Sequence, residues 1–194
     1  MSEDLGWSRT LIAGAASLGG LVATVASPLV GWALDRYGAR AILTVSVLIL
    51  GLSTVSLAWA TVPVAFYLAY GLGRGIFSSP LNIGPSVVVS RWFVRRRGRA
   101  TGILFLSHSL GMITFPLIAG LVIKYRGWED AWAVLGVLVW ILALGPVSML
   151  VRQSPESVGL LPDGDPPQQT DEGKEAAAAG EEPNWTLREA ARTP

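Results

Sequence analysis

The feature that most constrains this chain is a pair of long stretches without a charged residue. They cover residues 11–34 and 41–73, and Arg74 is the only charged residue between Arg40 and Arg91. About 20 apolar residues in a helix cross the roughly 30 Å hydrocarbon core of a bilayer. Only 15% of the 194 residues are charged, against about a quarter in an average soluble domain. The sequence therefore excludes a soluble globular enzyme and predicts an all-α, polytopic transmembrane bundle.

Hydropathy divides the chain into a membrane region, residues 1–152, and a polar segment, residues 153–194. Five transmembrane helices are predicted, at about 11–34, 41–60, 64–90, 100–123 and 131–151. Pro63 limits helix continuation and so favours a hairpin between the second and third of them. The polar segment is rich in Pro and acidic residues. Because it lacks the apolar content to bury a core, we predict a largely disordered tail.

The distribution of arginine predicts the orientation. Arg36 and Arg40 follow the first predicted helix, and five arginines lie between residues 91 and 99. The excess of Lys and Arg in cytoplasmic loops places these loops and the tail in the cytoplasm, in a cell membrane. The basic run 95–99 lies between two spans, with no room for a nucleic-acid-binding domain. We therefore expect it to contact anionic lipid headgroups, and we expect no nucleic-acid partner.

A compact group of charged and glycine residues lies between the first two predicted helices. It consists of Gly31, Asp35, Arg36, Gly38 and Arg40. Gly38 can adopt the positive φ that a tight turn between helices requires. Gly31 permits close approach of a neighbouring helix. Asp35, at the membrane edge, needs a cation or a helix N-terminus as its partner.

This group resembles the signature between the second and third helices of the major facilitator superfamily of transporters. It departs from that signature at Ala33 and Ala39, where the family commonly has Leu and Arg. In the family these charged residues help to hold one conformational state through contacts with the opposite half. The resemblance implies the same conformational-switch role for the group here.

Further segments resemble the branch of monocarboxylate porters and oxalate/formate antiporters. They are residues 5–9, 91–103, 127–128, 155–163 and 186–190. The resemblance implies that the chain corresponds to family helices two to six and the central loop. The first helix and the second half of the transporter would then be missing from it. The predicted orientation agrees, because family members start in the cytoplasm whereas this chain would start outside, and one missing span accounts for that difference.

Three polar residues inside the predicted helices are candidate site residues. Arg74 lies near mid-depth, where burial costs about 2.5–3.5 kcal/mol on insertion scales, so it should face a cavity or a partner. Its guanidinium matches a carboxylate in a bidentate manner, which favours substrate contact or coupling, with a structural pairing or a water-bridged role as the alternative. Asn82 lies within about 80° of Arg74 on a helical wheel, although Pro80 and Pro85 could bend that geometry. It is a second substrate-binding candidate, with a helix-to-helix hydrogen bond as the alternative.

His108 is the only histidine of the chain and lies within the fourth predicted helix. It is a candidate for proton coupling, with an ordinary packing role as the alternative. One His and no Cys exclude a histidine cluster or a thiolate metal site. We therefore predict no metal, no cofactor and no enzymatic activity.

The leading functional hypothesis is a secondary active transporter of small organic anions, such as monocarboxylates or dicarboxylates, present here as an incomplete chain. The alternatives are a membrane protein that transports nothing, or a half-size subunit that needs a complementary chain. The first alternative predicts that replacing Arg74 changes only abundance. The second requires a separate gene for the missing half.

Overall fold

The computed structural model describes residues 5–152 and 154–164. The described residues form helices and short helical turns, and no strand occurs among them. This confirms the all-α fold class.

The first two helices form a tight hairpin. Helix α1 spans Arg9–Tyr37 and α2 spans Ala39–Ser56, extended by a 3-10 turn at Leu57–Trp59. The Ser8 hydroxyl caps the start of α1 by accepting a hydrogen bond from the backbone N–H of Leu11. A Ser at this position satisfies one of the N–H groups that lack a partner at a helix start.

The third predicted span is broken into two helices. Helix α3 spans Pro63–Ser78 and α4 spans Pro80–Trp92. Pro80 has no N–H to donate to the preceding turn, so the regular hydrogen-bond ladder ends at Ser79. Pro85, by contrast, lies inside α4 without ending it. Of the two prolines that could bend this span, only Pro80 breaks it.

The last helices run back across the bundle. Helix α5 spans Arg97–Arg126, and α6 spans Trp128–Val139. A π-helical turn at Trp140–Leu144 follows and leads into α7, Gly145–Leu150. Gly127, at φ 99°, makes the turn between α5 and α6.

The core is divided between the two ends of the bundle. At one end Trp7, Phe66 and Tyr70 form a chain of ring contacts, with centroids 5.3 Å apart in both pairs. We call this the aromatic end. At the other end Leu34, Ala39 and Leu43 form a second buried cluster. Because the Arg-rich α1–α2 turn and α4–α5 loop meet there, we call it the basic end.

Small residues bring the helices close together between these ends. A Cβ on Gly19 of α1 would lie 2.8 Å from Cβ of Arg74 and 2.9 Å from the carbonyl oxygen of Gly71. A Cβ on Gly136 of α6 would lie 2.8 Å from the carbonyl oxygen of Gly51. The α1–α3 and α2–α6 contacts are the most extensive in the bundle. Only glycine fits at these crossings.

Within residues 5–152 and 154–164, four helices are long and apolar enough to cross a membrane. They are Arg9–Tyr37, Ala39–Trp59, Arg97–Arg126 and Trp128–Leu150. The pair α3 and α4 also runs from the aromatic end to the basic end, but neither helix has the length by itself. The count of five membrane crossings therefore stays a prediction.

The polar segment begins with order. Pro155–Val158 and Pro162–Gly164 form short 3-10 turns. The rest of the predicted disordered tail, residues 165–194, lies outside the described residues.

Candidate functional site

The turn between α1 and α2 brings the predicted conformational group to the basic end. Gly38 adopts φ 83°, and its N–H donates to the carbonyl oxygen of Leu34 over 3.1 Å. Asp35 accepts a hydrogen bond from Nη2 of Arg91 over 2.7 Å. The Asp35 side chain is 72% exposed and that of Arg91 30% exposed. The cation that Asp35 was expected to need is thus supplied by α4.

The remaining members of the group do not join this ion pair. The Arg36 guanidinium lies over the rings of Trp32 and Tyr37, at 5.4 and 6.0 Å from their centroids. Gly31 does not provide the close helix approach that we predicted. Within the described part of the chain, nothing lies within 4 Å of the Cβ position of Gly31. Among the described residues, then, only Asp35 of the group reaches another helix through an ion pair.

Arg74 lies in α3, about 17 Å along the helix axis from Pro63. Its stem packs on Gly19, and its exposed side chain lines a cavity of about 180 Å³ between α2, α3 and α6. Tyr70, Phe77 and Trp132 line the same cavity. Arg74 has no hydrogen-bond or ion-pair partner among residues 5–152 and 154–164. An unpaired guanidinium in an aromatic and hydroxyl-lined cavity can bind a small anion.

Asn82 and His108 line a second cavity, of about 110 Å³, between α4 and α5. The ring of Phe77 stacks on the His108 imidazole with centroids 6.2 Å apart. Both polar side chains are exposed. The structure therefore brings Asn82 together with His108 rather than with Arg74, because the break at Ser79 separates Asn82 from α3. Phe77 lines both cavities.

Asp163 holds the α4–α5 loop and was not among the predicted site residues. Its carboxylate accepts hydrogen bonds from the backbone N–H groups of Arg95, Arg96 and Val94, over 2.8, 3.1 and 3.2 Å. Chiefly through the Arg95 bond, these contacts hold the pKa of Asp163 below its usual value of 3.8, although burial opposes them. Asp163 has φ 64°, and its side chain is only 3% exposed. One carboxylate thus ties the start of the polar segment to the loop.

The sequence offered weak signals for the residues that prediction missed. Arg91 was one of five arginines in its loop, and only the fold selects it as the partner of Asp35. Asp163 lies in a Pro-Asp-Gly turn, a composition typical of turns, but nothing in that pattern identifies its partners. In the described part of the chain, no three His, Asp or Glu residues are grouped so that they could hold a metal ion.

Comparison of the sequence with known proteins identifies one family. The chain matches the Major Facilitator Superfamily over residues 1–192. It is 29% identical to a "Probable hexose phosphate transport protein" of Chlamydia pneumoniae over 76% of this chain and 33% of that protein. It is 32% identical to a "Fujikurins efflux protein" of Gibberella fujikuroi over 66% of this chain and 28% of that protein.

A third relative has a different substrate in its name. The chain is 25% identical to "Monocarboxylate transporter 14" of Mus musculus over 85% of this chain and 32% of that protein. The chain thus spans about a third of the length of these relatives. With its apolar helices and the match over residues 1–192, this multi-pass membrane protein belongs to the major facilitator superfamily.

Proposed function

We propose that this chain forms part of a secondary active transporter that moves small organic anions, such as monocarboxylates or dicarboxylates. The observation that carries the proposal is Arg74, a mid-depth guanidinium without a partner among the described residues and beside a cavity of about 180 Å³. The family consists of transporters rather than enzymes, which supports the transport part of the proposal.

The energetics of Arg74 favour a ligand. An arginine at the bilayer centre costs about 2.5–3.5 kcal/mol when it faces lipid, so such residues face a water-filled cavity or an anion. The planar guanidinium donates two parallel hydrogen bonds to one carboxylate. Two relatives are named for hexose phosphate and monocarboxylate, both of which are anions at neutral pH. The name of the fujikurins protein supplies the competing class, export of a larger organic compound.

The basic end supports a role in switching between conformations. The Asp35–Arg91 ion pair joins α1 to α4, and α4 also carries Asn82, which borders the second cavity. If this ion pair holds α1 and α4 together in one conformation of the transporter, it must break in the other conformation. We place this end in the cytoplasm of a cell in which the protein lies in the plasma membrane, because the arginines concentrate there. His108 is our candidate for proton coupling.

The uncovered surfaces support an incomplete transporter. Helix α5 contains no buried residue, although it carries His108 on its exposed surface. Polar side chains in a membrane rarely face lipid. We therefore propose that a further part of the transporter, the family's first helix and second half, covers these surfaces, and that the chain corresponds to helices two to six of the monocarboxylate and oxalate/formate branch. A half-size subunit with a complementary chain would expose the same surfaces.

The experiment begins with the native product. The gene is tagged at its own locus, and the membrane fraction gives the mass of the product. Uptake of radiolabelled lactate and oxalate is then measured for wild type and for Arg74→Lys. This variant keeps the positive charge but cannot donate two parallel hydrogen bonds to one carboxylate. Loss of a charge-assisted hydrogen bond of about 1.5–3 kcal/mol predicts a fall in kcat/KM of about 10- to 100-fold.

Arg126→Lys is the matched control, since Arg126 is an exposed arginine in the last turn of α5. It should transport at the wild-type rate. Equal uptake by Arg74→Lys and wild type would remove Arg74 from the site. A stable product of 20.6 kDa that moves neither acid, in which Arg74→Lys alters only abundance, would favour the non-transporting alternative.

A further inference from the structure

A crevice at the basic end is separate from the two cavities of the proposed transport path, although Gly38 and Arg40 of the conformational group line it. It lies between the first turn of α2 and the end of α7 and has a volume of about 570 Å³. Its lining includes Arg40, Thr44 and Val45 from α2, together with Ser148 and Arg152 from the end of the membrane region. Of the described residues that line it, none lines the cavity beside Arg74.

The crevice is strongly positive. Of the described residues that line it, two are arginines and none is acidic. Both arginines, Arg40 and Arg152, are exposed, and neither guanidinium has a hydrogen bond or ion pair within the described part of the chain. The nearby carboxylate of Asp35 is engaged by Arg91 instead. Two uncompensated guanidinium groups around one concave space favour an oxyanion.

The first turn of α2 suits the same ligand. Helix α2 begins at Ala39, beside the crevice, and no side chain caps its first turn. The first N–H groups of a helix have no partner within the helix and can donate to an anion. The hydroxyl group of Ser148, on the α7 side, already donates to the carbonyl oxygen of Gly145 over 3.1 Å. The charged donors of the crevice are therefore the two guanidinium groups.

An apolar stripe leads away from the crevice along α2. Val45, Leu48 and Leu52 follow at helical spacing and are 52%, 43% and 61% exposed. From Arg40 to Leu52 the helix rises about 18 Å, comparable with one leaflet of a hydrocarbon core roughly 30 Å thick. A free phosphate would leave this stripe unused, whereas the acyl chain of a lipid would cover it.

We propose that the Arg40–Arg152 crevice binds the phosphate headgroup of an anionic glycerophospholipid, with an acyl chain along Val45, Leu48 and Leu52. The phosphate oxygens accept hydrogen bonds from the two guanidinium groups. A basic pocket between helices, at the level of the headgroups, selects anionic over zwitterionic lipid. This inference does not rest on transport, since it requires only that the bundle lies in a bilayer.

The test is lipid retention by the purified native product. The protein is mixed in detergent with equal amounts of dioleoyl-phosphatidylglycerol and dioleoyl-phosphatidylcholine, and bound lipid is counted by native mass spectrometry. Wild type should retain the anionic lipid preferentially. Arg152→Gln should lower that preference about fivefold, the factor that corresponds to ~1 kcal/mol per basic residue near an anionic surface. Arg152→Lys, which keeps the charge, should retain most of it.

Arg126→Gln removes an exposed arginine at the aromatic end and should leave the preference unchanged. An equal fall in both glutamine variants would overturn the proposal, because it would reflect net charge alone. Equal retention of the two lipids by wild type would overturn it as well. Displacement of the bound lipid by 10 mM glycerol phosphate would assign the crevice to a soluble phosphate, whereas resistance to it supports a lipid anchored by its acyl chain.

Discussion

The contact between α2 and the π-helical turn that follows α6 offers a sharp test of the packing. Trp140, the first residue of the π-helical turn, donates a hydrogen bond from its indole nitrogen to the carbonyl oxygen of Leu48 over 3.2 Å. Its ring lies directly on Gly51. A Cβ at Gly51 would lie 2.0 Å from the indole nitrogen and 2.4 Å from Cδ1 of that ring. Gly51→Ala must therefore move the Trp140 ring away from α2.

The expected cost follows from three terms. Overpacking a close contact costs about 1–3 kcal/mol, and loss of the indole hydrogen bond costs about 0.5–1.5 kcal/mol. Alanine is favoured over glycine inside a helix by about 1 kcal/mol. The net destabilisation of Gly51→Ala is therefore about 0.5–3.5 kcal/mol. For a chain of this length, each kcal/mol lowers the melting temperature by roughly 2–4 °C.

Thermal stability is measured on the detergent-solubilised protein, as the fraction that remains monodisperse after heating. Gly120→Ala in α5 is the matched control, because nothing described lies within 4 Å of its Cβ position. It should melt at or slightly above the wild-type temperature. In a Trp140→Phe background the smaller ring should remove most of the Gly51→Ala cost. If Gly51→Ala and Gly120→Ala melt together, or if the Gly51→Ala cost is the same in both backgrounds, the packing argument is wrong.

Two further predictions concern the basic end. Because Asp35 is 72% exposed, its ion pair contributes at most about 1 kcal/mol to stability. Asp35→Asn should therefore leave stability and insertion nearly unchanged but slow uptake by the native product several-fold. The double variant Asp35→Arg with Arg91→Asp should restore the uptake. Wild-type turnover in Asp35→Asn would exclude a conformational role. The pKa of Asp163 is lowered in the folded protein, so its stabilising effect is present above the unfolded pKa of 3.8 and is lost as the pH falls through the folded value. Asp163→Asn should therefore speed amide hydrogen exchange at residues 94–96 at pH 7. The difference from wild type should disappear in strong acid. Equal exchange by the variant and wild type at pH 7 would mean that the carboxylate does not hold the loop.

The helices were predictable from the sequence because hydropathy is a local property, whereas the break in the third span was not. Pro80 and Pro85 both lack an N–H, and each could have ended the helix. The fold decides between them, since Ser79 is buried with its hydroxyl 3.3 Å from that of Ser27 on α1. Pro85 lies on a part of α4 that continues to Trp92. Composition carries no information on such a contact.

In the polar segment, the average composition predicts disorder but does not single out Asp163, the residue that contacts the α4–α5 loop. Asp163 needs no apolar neighbours to be held, because three backbone N–H groups converge on its carboxylate. Likewise, only the distance to Asp35 identifies Arg91, among the five arginines at residues 91–99, as the partner of that carboxylate. Long-range pairs of this kind depend on how the helices cross, which residue spacing within one helix does not determine.

The break at Ser79 divides the candidate site into two parts, and close contacts between helices support each part. On the α3 side of the break, Arg74 packs its stem on Gly19 of α1. On the α4 side, a Cβ on Gly84 would lie 2.6 Å from Leu43 of α2. Helix α3 is held against α1 at Gly19 and against α2 at Gly73, whereas α4 is held against α2 at Gly84. Beyond its stem, the Arg74 side chain lines one cavity, Asn82 lines the other, and Phe77 lines both. A movement of α4 against α3 at Ser79 would therefore change the relation between the two cavities.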